Sequence, residues 1–222
     1  MDNYTFSPGR RKSIFSSLSV TMTLVLVNVV AFIIFTLLIS TKTLSIDAVA
    51  LKPANIFAGK YLWTFLTSMF MHASFLHIFV NMLSLVFIGS FVERILGRKR
   101  YFWFYMASGL IAGLFFVFAS LIFRSDFTAY AVGASGALFG IAGLMVILTP
   151  NIPLYVMFIP IPIKAKYAIP GLLVILWLVS IAGNIGIGNT AHLGGLLAGI
   201  AYGIYLRKKY KKKTRYIRKY FS

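Results

Sequence analysis

The 222-residue chain contains no cysteine, which excludes disulfides and thiolate metal sites. Acidic residues are nearly as scarce. Four Asp and Glu stand against 22 Lys and Arg, a balance of +18. Charged residues make up only 12 % of the chain and apolar residues 59 %, whereas a water-soluble domain carries about a quarter charged residues. Excess positive charge in a polar domain points to nucleic acid. Here the basic residues sit between long apolar runs, so orientation in a bilayer is the simpler explanation and no nucleic-acid partner is expected. With three His, no Cys and no HExxH pair, a zinc hydrolase lacks ligands. An aspartyl dyad lacks carboxylates, because Asp2, Asp47 and Asp126 all fall outside the apolar runs. No metal and no cofactor is expected.

What the chain has instead is apolar runs of about the 20 residues that a span needs. Five are plain, at 18–39, 75–96, 101–123, 168–184 and 190–206. Arg10, Arg11 and Lys12 precede the first, as in a signal peptide. That run, Leu18 to Ile39, is too long for the ~7–15-residue core of a cleaved signal, so it reads as a retained span. A sixth run, 134–149, begins in Gly133-Ala134-Ser135-Gly136-Ala137 and stops at Pro150. It rises only ~24 Å as helix, less than the ~30 Å hydrocarbon core. If it starts inside the membrane, the backbone leading into it must be sheltered by protein or water.

These runs predict an all-α polytopic membrane protein, a six-helix bundle with a short fourth helix. With the N-terminus cytoplasmic, 18 basic residues fall inside and 4 outside, so both termini are placed in the cytoplasm. The organisation expected is a cytoplasmic segment 1–17, a membrane domain 18–206 and a basic cytoplasmic tail 207–222. That tail anchors the last span, with membrane lipid headgroups as its alternative partner. The first external loop, 40–74, is too long to be structureless. Its Ile56, Phe57, Tyr61, Leu62, Trp63, Phe65, Phe70 and Met71 suggest a segment half-sunk in the interface. Pro150, Pro153, Pro160 and Pro162 forbid a continuous helix through the inner loop. No two-halves repeat of the transporter kind is visible, and no pattern specifies an oligomer.

Polar side chains are costly within spans, so each carries a functional hypothesis. His77 and Asn81 lie on the second run, Ser135 heads the fourth, and His192 lies near the head of the sixth. All four fall in the outer halves of their helices, where they can form one site. A serine with a histidine base is the chemistry left. A serine hydroxyl is a weak nucleophile until a base takes its proton, and His192 can be that base. No carboxylate is available to orient it, so a dyad is expected rather than a triad. Ser135 at a helix N-terminus has free backbone N–H groups suited to an oxyanion. His77 and Asn81, spaced i, i+4, share a face and could complete that oxyanion hole. Gly136 and Gly140 on the fourth run, with Gly195 and Gly199 on the sixth, would let two helices approach closely. Taken singly, each residue has a plainer use: the glycines in packing, His72 and Asn81 in ordinary hydrogen bonds, and Glu93 in pairing with Arg94 or Arg98 or capping a loop.

Four stretches together resemble the rhomboid proteases. They are His72-Ala-Ser-Phe-Leu-His77-Ile-Phe-Val-Asn81, Val92-Glu93-Arg94-Ile95-Leu96-Gly97, Gly133-Ala134-Ser135-Gly136 and Ala191-His192-Leu193-Gly194-Gly195-Leu196-Leu197-Ala198-Gly199. The resemblance implies Ser135 as nucleophile, His192 as general base, and His77, Asn81 and the Ser135 backbone N–H around the oxyanion. It implies cleavage of single-span membrane proteins near the outer face, without a cofactor. Two positions depart from the family. Trp63 is followed by Thr64 where arginine is common, and Phe139 stands where a tyrosine often stacks on the base. The rival reading is a catalytically inactive rhomboid-like protein that binds or extracts membrane helices. Such relatives usually lack the serine or the histidine, and this chain has both. Access is a further expectation. Gly183 to Thr190 holds three further glycines and serves as a movable cap or a plain turn, and the fifth helix with Trp177 could swing as a lateral gate.

Overall fold

The computed structural model describes residues 18–155, 160–183 and 186–221. The N-terminal segment 1–17 therefore lies outside the described residues, as do Asn184 and Ile185 of the expected cap. The described chain is almost wholly helical: α1 (Val20–Ser40), α2 (Phe75–Leu96), α3 (Arg98–Ala119), α4 (Ser135–Leu148), α5 (Ala165–Gly183), α6 (Asn189–Lys209) and α7 (Lys211–Tyr220). α1, α2, α3 and α5 are long and apolar enough to cross a membrane; α4 is the short apolar helix.

α4 is the hub. Every residue from Ala137 to Met145 is buried, and α6 and α3 pack most extensively against it. The seam with α6 is made of backbone against backbone. A methyl group on Gly195 would overlap the carbonyl oxygen of Gly136, and one on Gly199 would overlap that of Gly140. α1 and α5 are the exposed helices, with Leu26, Ile33, Leu37, Val174, Leu178 and Ile181 turned outward. Such a surface suits lipid rather than water.

Glu93 shows why α1 starts where it does. Its carboxylate accepts the backbone N–H groups of Val20 and Thr21, both at 2.8 Å, and the Thr21 hydroxyl at 2.6 Å. Ser19 Oγ takes the Met22 N–H. Orphan donors at a helix start are thus satisfied, and a negative charge sits at the positive end of the dipole. The expected pairing of Glu93 with Arg94 or Arg98 gives way to this cap because two N–H donors and a hydroxyl offer it fixed, buried partners.

The helix limits differ by a few residues from those expected, most of all at the third helix. The third helix runs from Arg98 to Ala119 rather than over 101–123. Gly97, at φ +79°, ends α2 and lets the chain restart at Arg98, so three basic residues form the first turn of α3. At the other end Ser120 Oγ donates to the Val117 carbonyl, and a 3-10 turn follows at Arg124–Phe127. α2 is also not uniform, because Leu85–Gly89 forms a π turn within it. The proline-rich loop between α4 and α5 forms a two-stranded antiparallel ladder, β1 (Pro153–Leu154) with β2 (Ile163–Lys164). The basic end is ordered into helix: Arg207–Lys209 complete α6 and the chain continues as α7.

The first loop is a built structure. It holds a 3-10 turn at Ile46–Ala48 and short helices at Pro53–Phe57 and Thr64–Thr67. The Trp63 indole N–H donates to the Ala48 carbonyl, and the Thr67 hydroxyl to the Val49 carbonyl, each at 2.8 Å. Thr64 is buried and bonds the Tyr61 carbonyl. Phe57, Leu62, Trp63 and Leu66 remain exposed.

Candidate active site

Ser135 is the first residue of α4, and the strand-like segment before it is held by the first loop. Leu51 and Ala131 exchange both backbone hydrogen bonds, at 3.1 and 2.8 Å. The Gly133 N–H donates to the Ser68 carbonyl at 2.8 Å, and the Ala134 N–H to His72 Nε2 at 3.4 Å. Protein groups thus satisfy the backbone at the entry to the short helix. Gly133 has φ +108°, a conformation other residues rarely adopt. A Cβ there would also lie 2.8 Å from His77 Nε2. The glycine before the serine therefore brings the His77 ring against the backbone that leads into Ser135.

His192 sits in the first turn of α6, its N–H bonded to the Gly188 carbonyl at 3.0 Å. Its Nε2 lies 2.7 Å from Ser135 Oγ. The imidazole is buried and stacks on the Phe139 ring, with centroids 4.6 Å apart and planes at 21°. Phe139 therefore supplies the ring packing without a hydroxyl. The α4–α6 glycine seam starts beside this pair, with Gly136 next to Ser135 in the chain and Gly195 three residues after His192.

His77 Nδ1 accepts the Ala73 N–H at 3.4 Å, which leaves the proton of the neutral ring on Nε2, the nitrogen beside Gly133. His72 stands edge-on to His77, centroids 5.2 Å apart. Asn81 Nδ2 donates back to the His77 carbonyl at 2.8 Å and keeps a second N–H. His77, Asn81, Ser135 and His192 all line one cavity of about 1670 Å³. The cavity continues between α2 and α5, where Ser84, Phe87 and Ile88 face Ile169, Leu172 and Leu176.

No carboxylate bonds His192 among the described residues. Asp126 comes near in space, but its Oδ2 accepts the Thr190 hydroxyl at 2.7 Å and so fixes the first turn of α6. Asp47 works at a distance from the pair. Its Oδ1 accepts from Asn55 at 2.8 Å and from the Tyr130 hydroxyl at 2.9 Å, with Lys52 at 3.8 Å. The Asn55 hydrogen bond, then the Tyr130 bond and the Lys52 charge, hold this carboxyl below its usual range. Through Tyr130 it ties the loop to the segment leading to Ser135. Neither aspartate stood out in sequence, because Tyr130 and Thr190, which tie them to the site, are 83 and 64 residues away. Among the described residues no group of three or more His, Asp or Glu could hold a metal.

The sequence matches the rhomboid domain family over residues 59–209, well over half of the chain. It belongs to the rhomboid family. Rhomboid protease AarA of Providencia stuartii is 30 % identical over 85 % of this chain and 72 % of its own length. Rhomboid protein 1, mitochondrial, of Saccharomyces cerevisiae is 31 % identical over 67 % of this chain and 43 % of its own. RHOMBOID-like protein 1 of Arabidopsis thaliana is 33 % identical over 75 % and 40 %. The chain thus spans less than half the length of the yeast and plant relatives. Family membership and the four apolar helices together indicate an integral, multi-pass membrane protein.

Proposed function

We propose that this rhomboid-family chain is an intramembrane serine endopeptidase. The observation that carries the reading is the 2.7 Å contact between Ser135 Oγ and His192 Nε2 across two helices. Ser135 Oγ attacks the scissile carbonyl carbon while its proton passes to His192 Nε2. The carbonyl oxygen becomes an oxyanion, met by the Ser135 backbone N–H, His77 Nε2–H and the free Asn81 amide N–H. His192 then gives its proton to the departing amine, leaving an acyl-enzyme. Water, deprotonated by the same imidazole, hydrolyses it. Removing the serine hydroxyl removes the nucleophile, whereas removing His192 leaves it unactivated.

Six helices span the bilayer in this reading, with α4 and α6 among them and both termini cytoplasmic. The site then opens toward the outer leaflet and the first loop rests in the outer interface. Substrates are single-span proteins, entering through the cavity between α2 and α5. α5 is tied at its inner end, by Ala165 N–H to the Ile152 carbonyl and Lys166 N–H to the Pro150 carbonyl. Toward the outer end Trp177 meets Phe123, the ring contact that a swing of this end would have to release.

The test is cleavage of a single-span substrate by protein reconstituted in vesicles. Ser135→Ala should abolish it, and fluorophosphonate labelling should be lost in both Ser135→Ala and His192→Ala. Cleavage that survives Ser135→Ala would overturn the serine mechanism.

A further inference from the structure

The end of the bundle opposite the candidate site gathers cations from three helices. There α1 starts, α2 ends, α3 starts and α6 ends, and α7 lies across them. α7 is docked by one stripe. Tyr210, Thr214, Ile217 and Phe221 are turned inward, and the Phe221 ring meets Phe91 of α2 edge-on at 5.1 Å. The other faces of α7 expose Lys211, Lys212, Lys213, Arg215 and Arg218, with Tyr216 and Tyr220 stacked between them. Among the described residues, Glu93 is the one acidic side chain that reaches this end. Both of its oxygens are taken by the start of α1.

Where α6 gives way to α7, the cations gather on tyrosines. Arg100 lies 5.4 Å from the centroid of the Tyr210 ring and donates to its hydroxyl at 3.3 Å. Lys209 donates to the Tyr205 hydroxyl at 2.8 Å and lies 5.8 Å from the Tyr210 ring. Two cations from two helices thus share aromatic partners with no anion between them. A phosphate there would meet guanidinium, ammonium and hydroxyl donors together.

We propose that this end of the molecule, the α3 start, the α6 end and the outward faces of α7, binds the headgroups of anionic phospholipids in the leaflet around it. The occupant follows from charge and from place. Cations this dense need counter-charge, and the described carboxylate at this end, Glu93, is engaged by α1. The one charged surface always beside the ends of spanning helices is the headgroup layer. Lys and Arg stems can reach that layer from a docked helix, and exposed tyrosines suit its depth. The proposal rests on the helices spanning a bilayer and not on the Ser135 chemistry.

The test uses the full chain reconstituted into vesicles of phosphatidylcholine and phosphatidylglycerol in equal parts. The protein is then extracted in mild detergent and its retained lipid measured. Retained phosphatidylglycerol should exceed phosphatidylcholine by about fivefold or more, the effect of even one well-placed cation at low salt. Lys211→Gln/Lys212→Gln/Lys213→Gln should bring the ratio close to that of the vesicle. Lys42→Gln/Lys52→Gln/Lys60→Gln, at the other end, should leave it enriched. High salt present during extraction should lower the enrichment. A ratio equal to the vesicle, or one unchanged by the α7 substitutions, overturns the proposal. So does an oligonucleotide that binds the chain in pure phosphatidylcholine vesicles and, added to the mixed ones, removes the lipid enrichment. Ser135→Ala protein should retain lipid as the unchanged chain does, so the outcome is separable from proteolysis.

Discussion

The two walls of the cavity are built on opposite terms. On one side α4 meets α6 with carbonyls lying where side chains would be. On the other, α2 and α5 leave space between their apolar faces. The Ser135–His192 contact depends on the first wall, since a hydrogen bond across helices tolerates little drift. The entry of a substrate segment depends on the second. Rigidity and access are thus assigned to different helix pairs, and one helix, α4, borders both.

Substitutions can break that contrast. Gly199→Leu would drive a side chain into the Gly140 backbone, where neither helix can yield. It should cost upwards of about 3 kcal/mol, read as thermal unfolding in detergent, and abolish cleavage. Gly133→Ala should be milder on the fold, at about 1–3 kcal/mol, yet reduce kcat about a hundredfold by displacing His77 and Ser135 from each other. Cleavage within about threefold of the unchanged chain would argue that His77 need not touch this backbone. On the other wall, neighbouring leucines of α5 provide a matched pair. Leu173 is buried and Leu172 lines the cavity. Leu173→Ala should cost about 2–5 kcal/mol and Leu172→Ala under about 1 kcal/mol. Equal losses would mean that the α2–α5 gap is closed in solution.

The smallest expected effect is the pH response of the first loop. The Asp47 carboxyl is held low, so its bonds to Asn55 and Tyr130 stabilise the loop above the ordinary carboxylate value of about 3.9. That stabilisation is lost as pH falls through the lower folded value. Partial exposure limits it to less than about 1 kcal/mol. Hydrogen exchange across residues 45–57 should quicken in acid, and Asp47→Asn should remove that part of the response.

The helices and the candidate site differ in how far sequence alone discloses them. Apolar runs mark the spans because the bilayer demands continuous length. Ser135, His192, His77 and Asn81 stand out because polar groups are rare in such runs, and the structure places all four around one cavity. The third helix was harder, because its limits are set by the positive φ of Gly97 and the turn after Ala119 rather than by hydropathy. Pairings such as Glu93 with Val20, Asp126 with Thr190 and Leu51 with Ala131 join distant residues and leave no periodic trace. α7 did leave one. Its Tyr210, Thr214, Ile217 and Phe221 recur at helical spacing, hidden among lysines that read simply as a charged tail.

The Glu93 cap bears on the order in which the chain is made. α1 leaves the ribosome before α2, and the carboxylate that receives its opening N–H groups follows 72 residues after Thr21. Until the far end of α2 has been synthesised, the donors of Val20 and Thr21 have only solvent or lipid headgroups for partners. The first helix therefore completes its own start only when the second arrives beside it. α1, the candidate span with the least protein around it, is in this sense made before α2 and completed only with it.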